Sequence, residues 1–186
     1  MRVLLVDGMA ERAALVAAGL REAGFDVVAV VSDAQDLTRH VREAGAEVIV
    51  CDLDDPGRDA LESMRALHRD EPRPVVLFAN RGEPEQIEAA LEAGVAAYVV
   101  EGLTPNRVRP VVEVAIRRFR AHQALREELE TTRAMLATRK VIDAAKARLM
   151  ETRRLTEEEA YRRLRRMAMD RGIRLAEAAK AVLSNT

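Results

Sequence analysis

Residues 139–183 read RKVIDAAKARLMETRRLTEEEAYRRLRRMAMDRGIRLAEAAKAVL, and their pattern decides the fold of the C-terminal part of the chain. Apolar residues recur there at intervals of three and four positions, which places them along one face of a helix. The three successive runs are Ile142, Ala145 and Leu149; Ala160, Leu164, Met167 and Ala168; and Leu175, Ala178, Ala179 and Val182. The pattern predicts a module of three amphipathic helices, which is too small to be an enzyme core.

Two local signals mark the ends of these helices. The sequence Thr156-Glu157-Glu158-Glu159 has the form of a capping box, in which the first and fourth residues satisfy each other's backbone amides. Gly172 lies between the second and third runs, where a helix commonly ends. We therefore expect the second helix to begin after Thr156 and to end before Gly172.

The charges are divided unequally along the chain. The 186 residues carry 30 Lys and Arg against 31 Asp and Glu, a net charge of −1. Residues 1–103 hold 10 basic and 20 acidic side chains, whereas residues 104–186 hold 20 basic and 11 acidic ones. A basic C-terminal half favours a polyanion such as nucleic acid as its partner, although two solvated or mutually attracting halves would show the same division.

The N-terminal part of the chain alternates short apolar runs with helical patterns. Uninterrupted runs of Val, Ile and Leu are typical of strands that are buried on both faces of a parallel sheet. The five runs occupy residues 2–6, 27–31, 48–51, 74–78 and 97–100. This alternation predicts an α/β fold, a doubly wound five-stranded parallel sheet of the flavodoxin-like type.

Local signals between the strands predict further details. Ser32-Asp-Ala-Gln35 has the spacing of a capping box for a helix that stops near Gly45. A helix is expected from Asp59 to Leu67, which puts His68 in the loop that follows, at the surface. The sequence offers no Ser/His/Asp or Cys/His arrangement and no glycine-rich phosphate loop, so we do not expect an enzyme.

Acidic residues follow two of the predicted strands. Asp7 ends the first run, and Asp52 ends the third with Asp54 just beyond it. Functional groups of such sheets gather at the carboxyl ends of the strands. We therefore expect an acidic pocket of Asp7, Asp52 and Asp54, in which Asp7 and Asp52 are possible ligands for Mg²⁺, while no cofactor is required.

This N-terminal part resembles the receiver domain of two-component signalling proteins over residues 1 to about 119. Asp52 follows an apolar run and precedes Pro56 and Gly57, and the segment Gly94-Val-Ala-Ala-Tyr98 is similar to the one before a receiver's last strand. The resemblance implies that Asp52 is the phosphoacceptor.

Three positions depart from the receiver pattern. Gly8 stands where receivers usually have a second acid, Ala79 where they have Ser or Thr, and Glu101 where they have Lys. Ala79 cannot donate a hydrogen bond to a phosphoryl oxygen, and Glu101 would repel a phosphoryl group rather than pair with it. Asp52 is retained, but most of the groups that would respond to its phosphorylation are lost. The alternative to phosphorylation of Asp52 is a pseudo-receiver that serves for dimerisation and partner binding.

A long helix is expected to join the two parts, from Pro105 to about Thr152. Its heptad-like residues are Val108, Val111, Ala115, Arg118, His122, Leu125, Leu129, Thr132 and Leu136. Their alternating spacings of three and four predict a parallel coiled-coil homodimer, with a polar gap at Arg118 and His122. The alternative is a monomer whose helix bends there and folds back.

The C-terminal module resembles the ANTAR domain, the RNA-binding module of AmiR- and NasR-type transcription antiterminators. The resemblance lies in the block Ala145-Lys146-x-x-Leu149-Met150, followed by Glu159-Ala160-Tyr161 and Leu164-Arg165-Arg166. It implies dimeric binding to paired RNA hairpins with small loops. Family positions and nearby cations assign to the RNA-binding surface Ala145, Lys146, Arg148, Tyr161, Arg165, Arg166, Met169, Arg171 and Arg174.

The chain is thus expected to have three parts: a receiver-like domain (residues 1–119), a coiled-coil linker (120–138) and an RNA-binding domain (139–186). Resemblance to NasT- and AmiR-type regulators implies a ligand-sensing protein as the controlling partner, with a histidine kinase as the alternative. A phosphorylated response regulator and a DNA-binding or scaffold regulator remain alternatives. Without a signal peptide or an apolar run of about 18 residues, we expect a cytoplasmic protein with no membrane partner.

Overall fold

The computed structural model describes residues 1–100 and 105–184. The chain forms two compact units, Met1–Gln123 and Ala124–Thr186. The first contains β1 (Arg2–Asp7), α1 (Ala10–Glu22), β2 (Asp26–Val31), α2 (Leu37–Ala44), β3 (Val48–Asp52), α3 (Arg58–Asp70), β4 (Val75–Ala79), α4 (Pro84–Glu92) and β5 (Ala97–Val100). A further helix, α5 (Pro105–Arg153), begins in the first unit and ends in the second, which also holds α6 (Glu157–Arg171) and α7 (Leu175–Ser184).

The five strands form one parallel sheet in the order β2-β1-β3-β4-β5. Central strands β1, β3 and β4 are buried almost throughout, because helices cover both faces of the sheet. One apolar cluster joins the sheet to α1 and the start of α5, and the other joins it to α2, α3 and α4. The predicted doubly wound fold is confirmed.

Two local predictions in this unit are wrong. The N-cap of α2 is Asp36, whose side chain accepts a hydrogen bond from the Arg39 amide, and not Ser32. The predicted capping residues instead form a turn, in which the Gln35 amide donates to Asp33 Oδ1 at 2.9 Å. His68 lies inside the last turn of α3 and is half-buried, because this helix continues to Asp70.

Helix α5 runs for 49 residues and continues through Pro110, which has no amide hydrogen to donate. Its first part belongs to the core of the first unit, since Val108 and Ala115 are fully buried in the cluster that covers the sheet and Val111 packs against that cluster. The prediction that these three residues belong to a coiled-coil seam is wrong, because the same spacing of apolar residues serves the intramolecular core.

The second unit has a small core made by one face of each of its helices. Ala145 and Leu149 of α5, Ala160 and Leu164 of α6, and Ala179 of α7 are buried together. The capping box at Thr156 is confirmed, and α6 ends at Arg171, directly before Gly172, whose φ of 62° lies in the left-handed region. The predicted three-helix module is therefore present, with α5 as its first helix.

Two glycines offer a matched test of the first unit. Gly24 and Gly94 each follow a helix with φ values of 86° and 88°. A Cβ at Gly24 would meet nothing within 4 Å, whereas one at Gly94 would lie 2.6 Å from Nδ1 of His68. We expect Gly24→Ala to lower the free energy of unfolding by about 1 kcal/mol, from backbone strain alone. Gly94→Ala should lower the free energy of unfolding by at least about 1 kcal/mol more, because the imidazole ring of His68, on α3, must move.

Urea denaturation of the two variants, followed by circular dichroism, measures this difference. Equal losses of stability would show that α3 does not press against the turn at Gly94.

Candidate functional site

The pairing of β1 with β3 places two carboxylates side by side. Asp7 and Asp52 end these strands and are directly paired in the register of the sheet. They are the buried charged residues of the described chain, with 3% and 5% of their surfaces exposed. Two buried carboxylates that lie side by side repel each other unless a cation lies between them.

That cation is the side chain of Arg12. Its Nε lies 3.1 and 3.0 Å from Oδ1 and Oδ2 of Asp7 and 3.4 Å from Oδ2 of Asp52, and its Nη1 lies 2.9 Å from Oδ1 of Asp54. Nη2 donates to Oδ1 of Asp7 at 3.0 Å and to the backbone oxygen of Asp52 at 3.1 Å. The three acids predicted to share a pocket are thus brought together around one guanidinium.

Neighbouring groups occupy further oxygens of the same acids. The amide of Met9 donates to Oδ1 of Asp7 at 2.8 Å, which fixes the turn between β1 and α1. The side-chain amide of Asn80, just after β4, donates to Oδ1 of Asp54 at 2.6 Å. The pocket is therefore a closed network of donors and acceptors rather than a group of free acids.

The pKa values reflect this arrangement. Hydrogen bonding to Asp7 raises the pKa of Arg12 above its ordinary value, with Asp54 and Asp52 acting in the same direction. Burial raises the pKa of Asp52, Arg12 opposes that rise, and the charges of Asp7 and Asp54 add to it. Asp52 is thus a carboxylate whose charge depends on its arginine neighbour.

The pocket as arranged does not fit a bound Mg²⁺. Such an ion needs near-octahedral oxygen ligands at about 2.1 Å, and the oxygens of Asp7 and Asp52 face the guanidinium instead. Gly8 supplies no further carboxylate. Among residues 1–100 and 105–184, no group of three or more His, Cys, Asp or Glu side chains is placed to hold a metal ion.

Two of the positions that depart from the receiver pattern lie at the carboxyl ends of strands. Gly8 follows β1 directly, and Ala79 ends β4 and is buried. Glu101 lies outside the described residues. The hydroxyl of Tyr98, on β5, donates to the backbone oxygen of Arg81 at 2.8 Å.

In the second unit, the residues assigned to the RNA-binding surface occupy different environments. Tyr161 and Met169 of α6 are 43% and 71% exposed. Exposed cations are also found at Arg165, Arg166, Arg171 and Arg174, and Arg148 is half-buried. Ala145 is fully buried in the core between the helices, so its placement on the RNA-binding surface is wrong.

Lys146 has partners inside this unit. Its Nζ lies 2.8 Å from Oδ1 of Asp143 and 2.7 Å from Oε1 of Glu157, the first residue of α6. Hydrogen bonds to these two carboxylates raise its pKa. The side chain therefore ties α5 to the start of α6, in addition to any contact with a ligand.

Sequence reasoning missed Arg12 and Asn80. Arg12 is five residues beyond Asp7, and Asn80 follows the end of β4. The only signal in the sequence was their closeness to strand ends that the fold brings together. A charged residue in the first turn of a helix gives no indication of whether its side chain turns to solvent or to the sheet.

Family models match both parts of the chain. The response regulator receiver domain matches residues 3–113, more than half of the chain, and the ANTAR domain matches residues 130–183. The chain therefore belongs to the response regulator receiver family and carries an ANTAR domain after the receiver. Both resemblances seen in the sequence are confirmed.

Individual relatives agree with this assignment. The transcriptional regulatory protein PdtaR of Mycobacterium tuberculosis H37Rv is 29% identical over 182 residues, which cover 98% of this chain and 89% of that protein. The DNA-binding response regulator MtrA of Mycobacterium leprae is 29% identical over 117 residues, which cover 63% of this chain and 52% of MtrA. The second match is confined to a part of each protein.

Solved receiver structures have the same fold as the first unit. The receiver domain of the response regulator NarL from Mycobacterium tuberculosis superposes with a TM-score of 0.54 at 24% identity, covering 61% of this chain and 94% of that one. A LuxR-family response regulator from Aurantimonas gives 0.54 at 26% identity, covering 62% and 84%. No helix in the described part of the chain is apolar over a length that would cross a bilayer.

Removing Arg12 should destabilise the first unit. In Arg12→Ala the buried Asp7 and Asp52 face each other without a cation, and we expect the free energy of unfolding to fall by about 2–3 kcal/mol. Arg39→Ala is the matched control, because Arg39 pairs with Asp36 and Glu43 in solvent and should contribute little. Chemical denaturation of both variants measures the effect, and similar small losses would contradict it.

Proposed function

We propose that this protein is a non-enzymatic, dimeric regulator of transcription antitermination. Residues 1–119 would receive the signal, residues 120–138 would form a coiled coil, and residues 139–186 would bind hairpin RNA. The match of residues 130–183 to the ANTAR domain is the observation that carries the proposal. The similarity to the transcriptional regulatory protein PdtaR over nearly the whole chain supports it.

The charges of α6 favour an anionic ligand. Its acids are concentrated in the first turn, where each has an intramolecular role. Glu157 pairs with Lys146, Glu158 pairs with Arg162 at 3.3 Å, and Glu159 completes the capping box. Of the arginines that follow, Arg163, Arg165, Arg166 and Arg171 are exposed and present a positive surface to a partner.

One stripe of α6 has the chemistry to bind an unpaired base. Tyr161, Arg165 and Met169 are spaced by four residues, so they follow one another along the same side of the helix. An exposed tyrosine ring can stack on a splayed loop base, and a guanidinium can pair with phosphate or a base edge. We place the centre of the RNA-binding surface on this stripe.

The second unit also exposes an apolar stripe on α5. Leu125, Leu129 and Leu136 are 65%, 47% and 54% exposed, and together with Thr132 they have spacings of four, three and four. Exposed leucines at heptad spacing favour pairing with a second copy of the same helix. We propose a parallel homodimer through this part of α5.

We propose that a ligand-sensing protein partner, and not a kinase, controls the first unit. Phosphorylation of Asp52 by a histidine kinase is the alternative. Asp52 is buried beside Arg12, Gly8 gives no second acid, and Ala79 gives no hydroxyl. A surface contact with a partner needs none of these groups.

The RNA-binding surface is tested by two arginines of the same helix. Arg165 lies on the stripe, whereas Arg163 lies about 200° away around the helix, at 100° per residue. We expect Arg165→Ala to weaken binding to a tandem hairpin RNA about tenfold, and Arg163→Ala to weaken it only about twofold through the loss of general charge. Fluorescence anisotropy at two salt concentrations measures both.

Equal losses in the two variants would remove the stripe from the RNA-binding surface. Duplex DNA of the same length is the ligand control. If the wild-type protein bound it as tightly as the RNA and with the same salt dependence, RNA-specific function would be wrong.

The dimer is tested by placing a charge on the stripe of α5. Leu129→Glu should weaken dimerisation by about a hundredfold or more, because two carboxylates would face each other in the seam. Ala134→Glu introduces the same side chain at an outward heptad position and should leave the dimer unchanged. Analytical ultracentrifugation gives both association constants, and a stable Leu129→Glu dimer would contradict the coiled coil.

A further inference from the structure

We propose that Arg12 takes the place of a divalent cation in the acidic pocket of this receiver, so that the chain itself supplies a cation to the pocket and excludes Mg²⁺. This role of Arg12 belongs to the first unit and is independent of what the second unit binds. It rests on the position of one guanidinium among three carboxylates.

Arg12 occupies the position in the pocket that a cation would take. The acids of a pocket that binds a cation point their oxygens at a common centre, and here that centre is occupied by Nε and Nη of Arg12. Both oxygens of Asp7 are used, and Asp54 is held by Arg12 and Asn80 together. A metal ion could bind only after these hydrogen bonds had been broken.

The permanent charge of Arg12 and its attachment to the chain both favour it over an ion from solution. A guanidinium remains protonated throughout the pH range in which proteins are folded, so it supplies a permanent positive charge. Arg12 lies in the first turn of α1, five residues beyond Asp7, and therefore competes at a high effective concentration with any ion in solution. The planar fork also matches a carboxylate better than a spherical ion does.

The pocket also lacks a second acid after Asp7. Gly8 follows Asp7 where a second carboxylate would be available to a metal ion. Without it, the acids that face the centre are the buried Asp7 and Asp52 and the exposed Asp54. The absence of an acid at Gly8 and the presence of Arg12 act together, because both favour a monovalent cation over a divalent one in the pocket.

Occupation of the pocket by Arg12 has a functional consequence. A receiver whose pocket is occupied by its own guanidinium keeps one arrangement of β1, β3 and the adjacent turns at any Mg²⁺ concentration. Loss of Arg12 should convert this pocket into a weak metal site, because the carboxylates would then need another cation.

The full-length wild-type protein, Arg12→Ala and the Arg39→Ala control provide the test. Binding of Mn²⁺, as a paramagnetic probe for Mg²⁺, is measured from the free-ion signal in electron paramagnetic resonance. Melting temperatures are measured with MgCl₂ and with NaCl at the same ionic strength. We expect Arg12→Ala to bind Mn²⁺ at least about tenfold more tightly than the wild type and to be stabilised by Mg²⁺.

Wild type and Arg39→Ala should show neither effect. The double variant Arg12→Ala/Asp52→Asn should lose the gained binding, which assigns that binding to the pocket. If Arg12→Ala does not fold, Arg12→Gln, which removes the charge and keeps a side-chain amide donor, takes its place. Wild-type binding of Mn²⁺ as tight as that of the variants would overturn the proposal, and so would variants that gain no binding.

Discussion

The parallel pairing of β1 with β3 is the constraint on which the first unit depends. It brings two aspartates together at the edge of the sheet, where both are buried. Carboxylates in that position cannot remain charged without a counter-ion. Arg12 supplies one, and by contacting Asp7, Asp52 and Asp54 it joins the end of β1, the end of β3 and the start of α1. The three aspartates and Arg12 thus form one ion cluster at the carboxyl edge of the sheet.

The second unit is stabilised differently, because the packed faces of its three helices carry few large side chains. Its core contains Ala145, Ala160 and Ala179 beside Leu149 and Leu164, and small residues allow helices to approach closely. Charged residues then have to stay outside. The three acids in the first turn of α6 are satisfied within the unit, at the cap and in ion pairs, so the exposed surface of the rest of the helix is predominantly that of its arginines. The stability of the module and its positive surface have the same origin.

Helix α5 shows why one periodicity can have two meanings. Heptad spacing runs from Val108 to Leu136, and a helix with such a stripe must cover it with something. At Val108 and Ala115 the sheet of the same chain covers the stripe, whereas Leu125 and Leu129 are exposed. Spacing alone cannot distinguish the two cases, since both demand apolar residues on one face.

The sequence by itself determined the succession of strands and helices along the chain, the parallel sheet, the capping box at Thr156 and both family resemblances. These features depend on local periodicity and short motifs. Only the tertiary structure decided that Arg12 meets the acids, that Ala145 is buried and that Lys146 is paired with Glu157. The partners Arg12 and Asp52 are 40 residues apart in the chain. Their contact depends on strand register and on the direction of a side chain from its helix, and neither is encoded in the neighbourhood of a single residue.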